Sequence, residues 1–268
     1  MEMKIGFIGT GNMGGALARA AAGAVLPQRI YLANKTAAKA VSLAEALDCN
    51  AADVPWVAEN CGLIFLGVKP QMMADLLAQL QPVLAARTEP VTLVSMAAGL
   101  TMAQIRAMAG AEYPVIRIMP NTPVAVGQGV VLYDTTDNVT EEALQCFLEA
   151  MAGAGLVDRL PEKLIDAGSA VSGCGPAFAC LFLEALADGG VACGLPRQKA
   201  MEYAAQMLMG TAALARQTGQ HPGQLKDAVC SPGGSTIAGV RALEQGGFRA
   251  AAMNAVEAAY HRTRELGK

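Results

Sequence analysis

Lys4-Ile5-Gly6-Phe7-Ile8-Gly9-Thr10-Gly11-Asn12-Met13-Gly14-Gly15-Ala16-Leu17 is an apolar run, a glycine turn and an alanine-rich helical pattern in direct succession. That is the strand, turn and helix order of a dinucleotide-binding unit. Gly9 permits the tight turn, Gly11 lets backbone approach a pyrophosphate, and Gly14 lets the helix pack close to the strand. The helix start offers free N–H groups and partial positive charge to the phosphates. The plain alternative is a glycine turn with no ligand. The strand before it and the helix after it are the context that gives G-x-G-x-x-G its meaning. Ile8, Gly9, Thr10, Gly11, Asn12, Met13 and Gly14 are therefore expected to contact a coenzyme.

Outward from this unit, β-type runs at 30–33, 63–67, 91–95 and 115–119 are separated by helix-sized segments, and 129–133 and 156–159 follow. The alternation predicts a Rossmann-type, doubly wound parallel sheet of class α/β with an extra edge. Beyond Pro161 only Ala/Leu/Met-rich helical patterns remain. Gly194-Leu195-Pro196, the 219–223 stretch, Ser231-Pro232-Gly233-Gly234 and Gly246-Gly247 break them into successive helices. The expected division is a dinucleotide-binding domain over 1–160 and an all-α domain over 161–268. Helices this rich in small apolar residues are expected to share their core with a partner chain. Glycines and Pro176 within 171–178 lie in a helical pattern, where they cost roughly 1 kcal/mol per glycine and about 3 for an interior proline. Close helix crossing or proximity to the coenzyme would offset that.

The 268 residues carry a net charge of -3, which gives no reason to expect nucleic acid or an anionic membrane. The hydrophobic fraction is 53%, much of it alanine, and the most apolar stretch, Ala167 to Leu183, is interrupted by Gly173, Gly175 and Pro176. No membrane span is expected. The first strand begins so near Met1 that no signal peptide is expected. Seven cysteines, none spaced C-x-x-C, with His221 and His261 as the histidines, assemble no metal site. They read as small core residues in a reducing, cytoplasmic compartment.

The turn after the second strand, Asn34-Lys35-Thr36, has no carboxylate to accept from a ribose hydroxyl. Asn34 and Lys35 suit a 2′-phosphate, so NADPH is expected ahead of NADH, with a solvated turn as the alternative. Val68, Lys69 and Pro70 lie at the carboxyl end of another strand, and Met96, Ala97 and Ala98 at the next; coenzymes sit at such ends in open α/β sheets. Asn121 and Thr122 either line the cleft or turn the chain. At Ser231-Pro232-Gly233-Gly234-Ser235-Thr236 two glycines free the backbone before a helix. Gly234, Ser235 and Thr236 there form a turn able to hold a carboxylate by main-chain donors. An ordinary Ser/Thr helix cap is the alternative.

These segments together resemble the pyrroline-5-carboxylate reductase family. The resemblance runs over essentially the whole chain. It includes Gly67-Val68-Lys69-Pro70, Met119-Pro120-Asn121-Thr122-Pro123, Ser172-Gly173-Cys174-Gly175-Pro176-Ala177 and His221-Pro222-Gly223-Gln224-Leu225-Lys226-Asp227. Most specific is Ser231-Pro232-Gly233-Gly234-Ser235-Thr236-Ile237. The resemblance implies a Rossmann domain followed by a helical domain that intertwines with its copy in a homodimer or a multiple of dimers. It implies reduction of 1-pyrroline-5-carboxylate to L-proline with NADPH. It places the substrate carboxylate at Gly234, Ser235 and Thr236, makes the Thr236 hydroxyl the catalytic contact to the ring nitrogen, and puts Glu162 against the substrate. The helix dipole also favours a glutamate at that position. Cys174 stands where the family often has serine, and Ala228 where some members have asparagine. A 3-hydroxyacid dehydrogenase shares the two-domain plan, but its catalytic lysine would fall at Ala179. A non-catalytic NADP sensor would need the Gly9 turn and not the Ser231–Thr236 signature.

Overall fold

The computed structural model describes residues 2–266. Contacts divide the chain into two compact units, Met1–Cys174 with the residues from Ala259 onward, and Gly175–Ala258.

The first unit is a sheet with helices on both faces. Its elements are β1 (Ile5–Ile8), α1 (Asn12–Ala22), β2 (Ile30–Ala33), α2 (Ala37–Leu47), β3 (Asn50–Ala51), α3 (Val54–Asn60), β4 (Leu63–Leu66), α4 (Met73–Ala85), β5 (Thr92–Ser95) and α5 (Met102–Ala109). There follow β6 (Val115–Pro120), β7 (Gly129–Thr135), α6 (Glu141–Met151), β8 (Gly155–Arg159) and α7 (Glu162–Ser172). The strand order is β3-β2-β1-β4-β5-β6-β7-β8. All neighbours pair in parallel except β6 and β7, which are antiparallel. This is the expected doubly wound sheet.

β1 lies between β2 and β4, with Ile8 level with Ala33 and Leu66, and every β1 residue is buried. Alternate side chains feed two cores. Phe7, Phe65, Leu17 and Phe147 fill one face, with Phe7 stacked on Phe65 at 4.4 Å between ring centroids. Ile8, Ile64, Leu66, Leu77 and Ile105 fill the other. Each fully buried side chain of this kind contributes about 1.5–3 kcal/mol. The strand order reverses at β1/β4, so the chain ends after Ile8 and Leu66 diverge and open a crevice at their carboxyl ends.

Three features depart from the sequence reading. β3, Asn50–Ala51, is too short for any periodicity to reveal. The helical pattern across 171–178 breaks at Gly173–Cys174, which places Pro176 in the first turn of the next helix, where a missing N–H costs nothing. Finally, α7, expected in the second domain after a boundary at 160, packs on the sheet. Its Ile165 is buried with Met119 and Leu132, and a Cβ on Gly168 would collide with Leu132.

The second unit contains α8 (Gly175–Ala192), α9 (Arg197–Thr218), α10 (Pro222–Ala228), α11 (Ser235–Gln245) and most of α12 (Phe248–Leu266). α8 and α9 meet where Gly190 lies against Ala200, and Phe182 tilts on Phe248 at 5.2 Å. Little else is buried: Leu181 is 69% exposed, Met209 60% and Met253 61%. The helical stretch Glu162–Ala192 is long and apolar enough to cross a membrane, by length and composition alone, and only 11% of its most apolar window is buried. The sequence reading passed over this stretch because of its glycines and proline. The helical assignment is broken at Gly173 and Cys174, so α7, held on the sheet, and α8 are separate helices.

Candidate active site

The turn after β1 is shaped by three glycines at contact distance. Gly9 has φ +98°, and a Cβ on it would stand 2.6 Å from the Gly67 carbonyl oxygen. A Cβ on Gly14 or Gly67 would collide with the Gly9 carbonyl. Gly9 N donates to Ala33 O at 2.8 Å and Gly67 N to Ile8 O at 2.7 Å, so the turn is locked to β2 and β4.

Gly11 is different. Its φ of −72° suits any residue, and no protein atom lies within 4 Å of where its Cβ would stand. Nothing in the protein requires glycine there, and the space beside it is open. α1 starts at Asn12 with no side chain capping it, and the buried Thr10 Oγ1 has no hydrogen-bond partner. An uncapped helix start, an orphaned hydroxyl and an open space beside a glycine fit a pyrophosphate.

The other expected coenzyme residues lie at the same edge of the sheet. Val68 is half-buried and Lys69 exposed just past β4, before a short 3₁₀ turn at Pro70–Met72. Past β5, Met96 and Ala98 are half-buried, Ala97 is buried, and Gly99 has φ +78°. Asn34, half-buried, donates to Thr36 O at 3.4 Å, and Lys35 is exposed. A groove of about 480 Å³ lies elsewhere, between α3 and the end of α4. One of about 680 Å³ continues from Thr10, Gly11 and Asn12 between α1 and α2, with Arg19 and Lys39 on its walls. Sequence reading passed over both cations, Arg19 in the last turn of α1 and Lys39 in the first turn of α2.

Asn121 turns the chain. It is buried, its amide donates to Ser172 O at 2.9 Å, and its carbonyl accepts from Val130 N at 2.8 Å, tying β6 and β7 to the end of α7. Thr122 is exposed in the 3₁₀ turn that follows. Glu162, expected at the substrate, is part-exposed at the start of α7 and also has protein partners. Its Oε1 accepts from Met102 N at 2.7 Å and stands 3.4 Å from Arg117 Nη1. Arg117 Nη2 also meets Asp166 Oδ1 at 2.5 Å, and Glu162 N donates to Asp134 Oδ2 at 2.7 Å. Arg117 was missed by sequence reading, although a charge in the apolar run Val115–Met119 signals a buried ion pair.

In the second unit, Gly233 has φ +71°, and Gly234 N donates to Ser231 O at 3.0 Å to close the turn before α11. A Cβ on Gly234 would collide with Ser231 Oγ. Gly234 is the N-cap of α11 with no side-chain cap bond, and Ser235 and Thr236 are exposed. The structure thus removes the ordinary Ser/Thr cap as the reason for these residues. At α10 that role belongs to His221, whose Nδ1 accepts from Gly223 N at 3.1 Å. Among the described residues no group of three or more His, Cys, Asp or Glu side chains is placed to hold a metal.

A doubly wound sheet with a glycine-shaped anion turn at its switch point defines a dinucleotide-dependent oxidoreductase module. Residues 4–99 match the model of NADP oxidoreductase coenzyme F420-dependent proteins, and residues 162–266 match that of pyrroline-5-carboxylate reductase dimerisation. Pyrroline-5-carboxylate reductase of Pisum sativum is 42% identical, over 98% of this chain and 95% of its own. That of Escherichia coli strain K12 is 40% identical over all of both. The structure of Plasmodium falciparum pyrroline carboxylate reductase with NADP bound superposes with a TM-score of 0.88 at 32% identity, covering 99% of this chain and 98% of that one. The chain belongs to the pyrroline-5-carboxylate reductase family.

Proposed function

We infer that this chain reduces 1-pyrroline-5-carboxylate to L-proline with NADPH as the hydride donor. The observation that carries the reading is a pair of uncapped, glycine-shaped helix starts, at α1 and α11, in a chain related over its full length to this family. In this reading Ile8–Gly14 receives the pyrophosphate on the N–H groups of α1, and Asn34 and Lys35 face the 2′-phosphate. Val68, Lys69, Pro70 and Met96–Ala98 border the nicotinamide half. When bound, NADPH supplies the hydride that goes to the imine carbon.

The Gly234–Thr236 backbone offers main-chain N–H donors to the substrate carboxylate, as suits a helix start without a cap of its own. Thr236 Oγ1 is assigned to the ring nitrogen, holding it as imine becomes amine. A protonated imine is already electrophilic, so orientation carries most of the acceleration and no separate acid is needed. The functional boundary is placed at Pro161, because the dimerisation match starts at Glu162 even though α7 packs on the sheet. The exposed apolar helices are read as the surface of a homodimer or a multiple of it. The cysteines, none of them in a disulfide among the described residues, suit a cytoplasmic setting.

The test is loss of NADPH absorbance on adding pyrroline-5-carboxylate to the purified protein, with proline identified as product. Absence of imine-dependent oxidation would overturn the assignment.

A further inference from the structure

The groove between α1 and α2 carries a charge opposite to that of the chain as a whole. The chain has a net charge of -3, yet Arg19 and Lys39 line this groove and no carboxylate does. Neither cation has a hydrogen bond or an ion pair among the described residues. Thr10, whose buried hydroxyl has no partner, lines the same groove.

Helix spacing builds its two walls. Asn12, Gly15 and Arg19 recur at three and four residues on α1, and Lys39, Leu43 and Ala46 do so on α2. The helices meet where a Cβ on Gly15 would stand 3.6 Å from Leu43 Cδ2. Because β1 and β2 run parallel, α1 and α2 both start at the same edge of the sheet. Lys39 lies one turn before Leu43, toward that edge and the glycine turn, and Arg19 lies one turn beyond Gly15. α2 begins after Thr36 with no side-chain cap and no acidic residue in its first turn. Its free N–H groups and Lys39 therefore attract an anion together.

A coenzyme with its pyrophosphate at Ile8–Gly14 brings its adenosine ribose to the end of β2, beside this mouth. There NADPH has a phosphate where NADH has a hydroxyl. We propose that Lys39 is a specificity-determining residue that pairs with the 2′-phosphate of NADPH, with Arg19 adding attraction from deeper in the groove. This rests on the coenzyme reading given above.

The experiment measures NADPH and NADH affinity by fluorescence titration, at low and high salt, for the parent chain, Lys39→Ala, Lys39→Arg and Arg19→Ala. Lys39→Ala is expected to weaken NADPH about 10-fold and to leave NADH within about twofold, the loss of one charge-assisted contact. The salt dependence of NADPH binding should flatten with it. Lys39→Arg should restore most of the affinity, and Arg19→Ala should cost less than Lys39→Ala. Both side chains are exposed, so the variants should keep the parent Tm. Equal losses for NADPH and NADH, unchanged NADPH affinity in Lys39→Ala, or a larger loss from Arg19→Ala would overturn the proposal. A parent chain with no preference for NADPH would overturn the coenzyme reading and the role of Lys39 with it. A parent chain that prefers NADPH without reducing the imine defeats the functional reading alone, because the binding comparisons still judge Lys39.

Discussion

At Thr236 one hydroxyl separates a helix start from the proposed catalytic contact. Thr236→Ala leaves the backbone donors of α11 in place and removes the proposed bond to the ring nitrogen. A hydrogen bond to a charged partner is worth about 1.5–3 kcal/mol, so kcat/KM should fall about 10- to 100-fold. NADPH affinity should hold, and Thr236→Ser should be far milder; equal kcat/KM in the alanine and threonine chains would leave Thr236 no catalytic part. Cys61 makes a different prediction. Buried between β1 and α3, its thiol is pushed up from 9.0 to about 12 by burial, with Lys4 and Arg87 opposing. Because the folded value is the raised one, its contribution to stability is complete below pH 9 and is lost as pH rises toward 12. Cys61→Ala should flatten that alkaline fall in denaturant titrations, and an unchanged slope would exclude the thiol as its source. Single residues were legible where the backbone alone imposes the choice, as at Gly9 and Gly14. Arg117 was not, since its meaning depends on partners 45 and 49 residues away in the chain.

The turn between β2 and α2 is the proposed site of coenzyme choice. With Asn34 and the exposed Lys35 and no carboxylate, kcat/KM should favour NADPH over NADH. Lys35→Asp should erode or reverse that preference by setting a negative charge where the 2′-phosphate would lie. A parent chain clearly better with NADH would refute the reading of this turn. Arg19 and Lys39 lie in the neighbouring groove, and no ion pair to either is seen among the described residues. Elements themselves were readable from glycine and proline punctuation: α9, α10, α11 and α12 all begin after such breaks. The allegiance of α7 was not. Its composition is that of the helices after it, and only the packing of Ile165 and Gly168 shows that it belongs to the sheet.

As a whole, the chain buries one half of itself well and the other poorly. α10 and α11 have no buried residue, and α8 buries only Ala187, so the second unit has little core of its own. The chain should therefore sediment as a dimer or a multiple of one at micromolar concentration, and its Tm should rise with protein concentration. A stable, active monomer would refute this. The sheet was legible except for the two-residue β3, because most strands are bounded by helices of distinct period. The apolar excess after Pro161 was legible as well, though a sequence cannot tell a face that meets another helix of its own chain from one that meets a second chain. The glycines of the first turn carry this asymmetry into inheritance. A substitution at Gly14 collides with the Gly9 carbonyl and removes the chain before it can pair. A Cβ at Gly11 meets no protein atom, so the Gly11→Val chain should fold, keep its Tm and pair normally while refusing NADPH. In a cell holding both alleles, mixed pairs would be common with Gly11→Val and rare with Gly14→Val. Two lesions three residues apart would then both lack activity and differ in whether they occupy a wild-type partner.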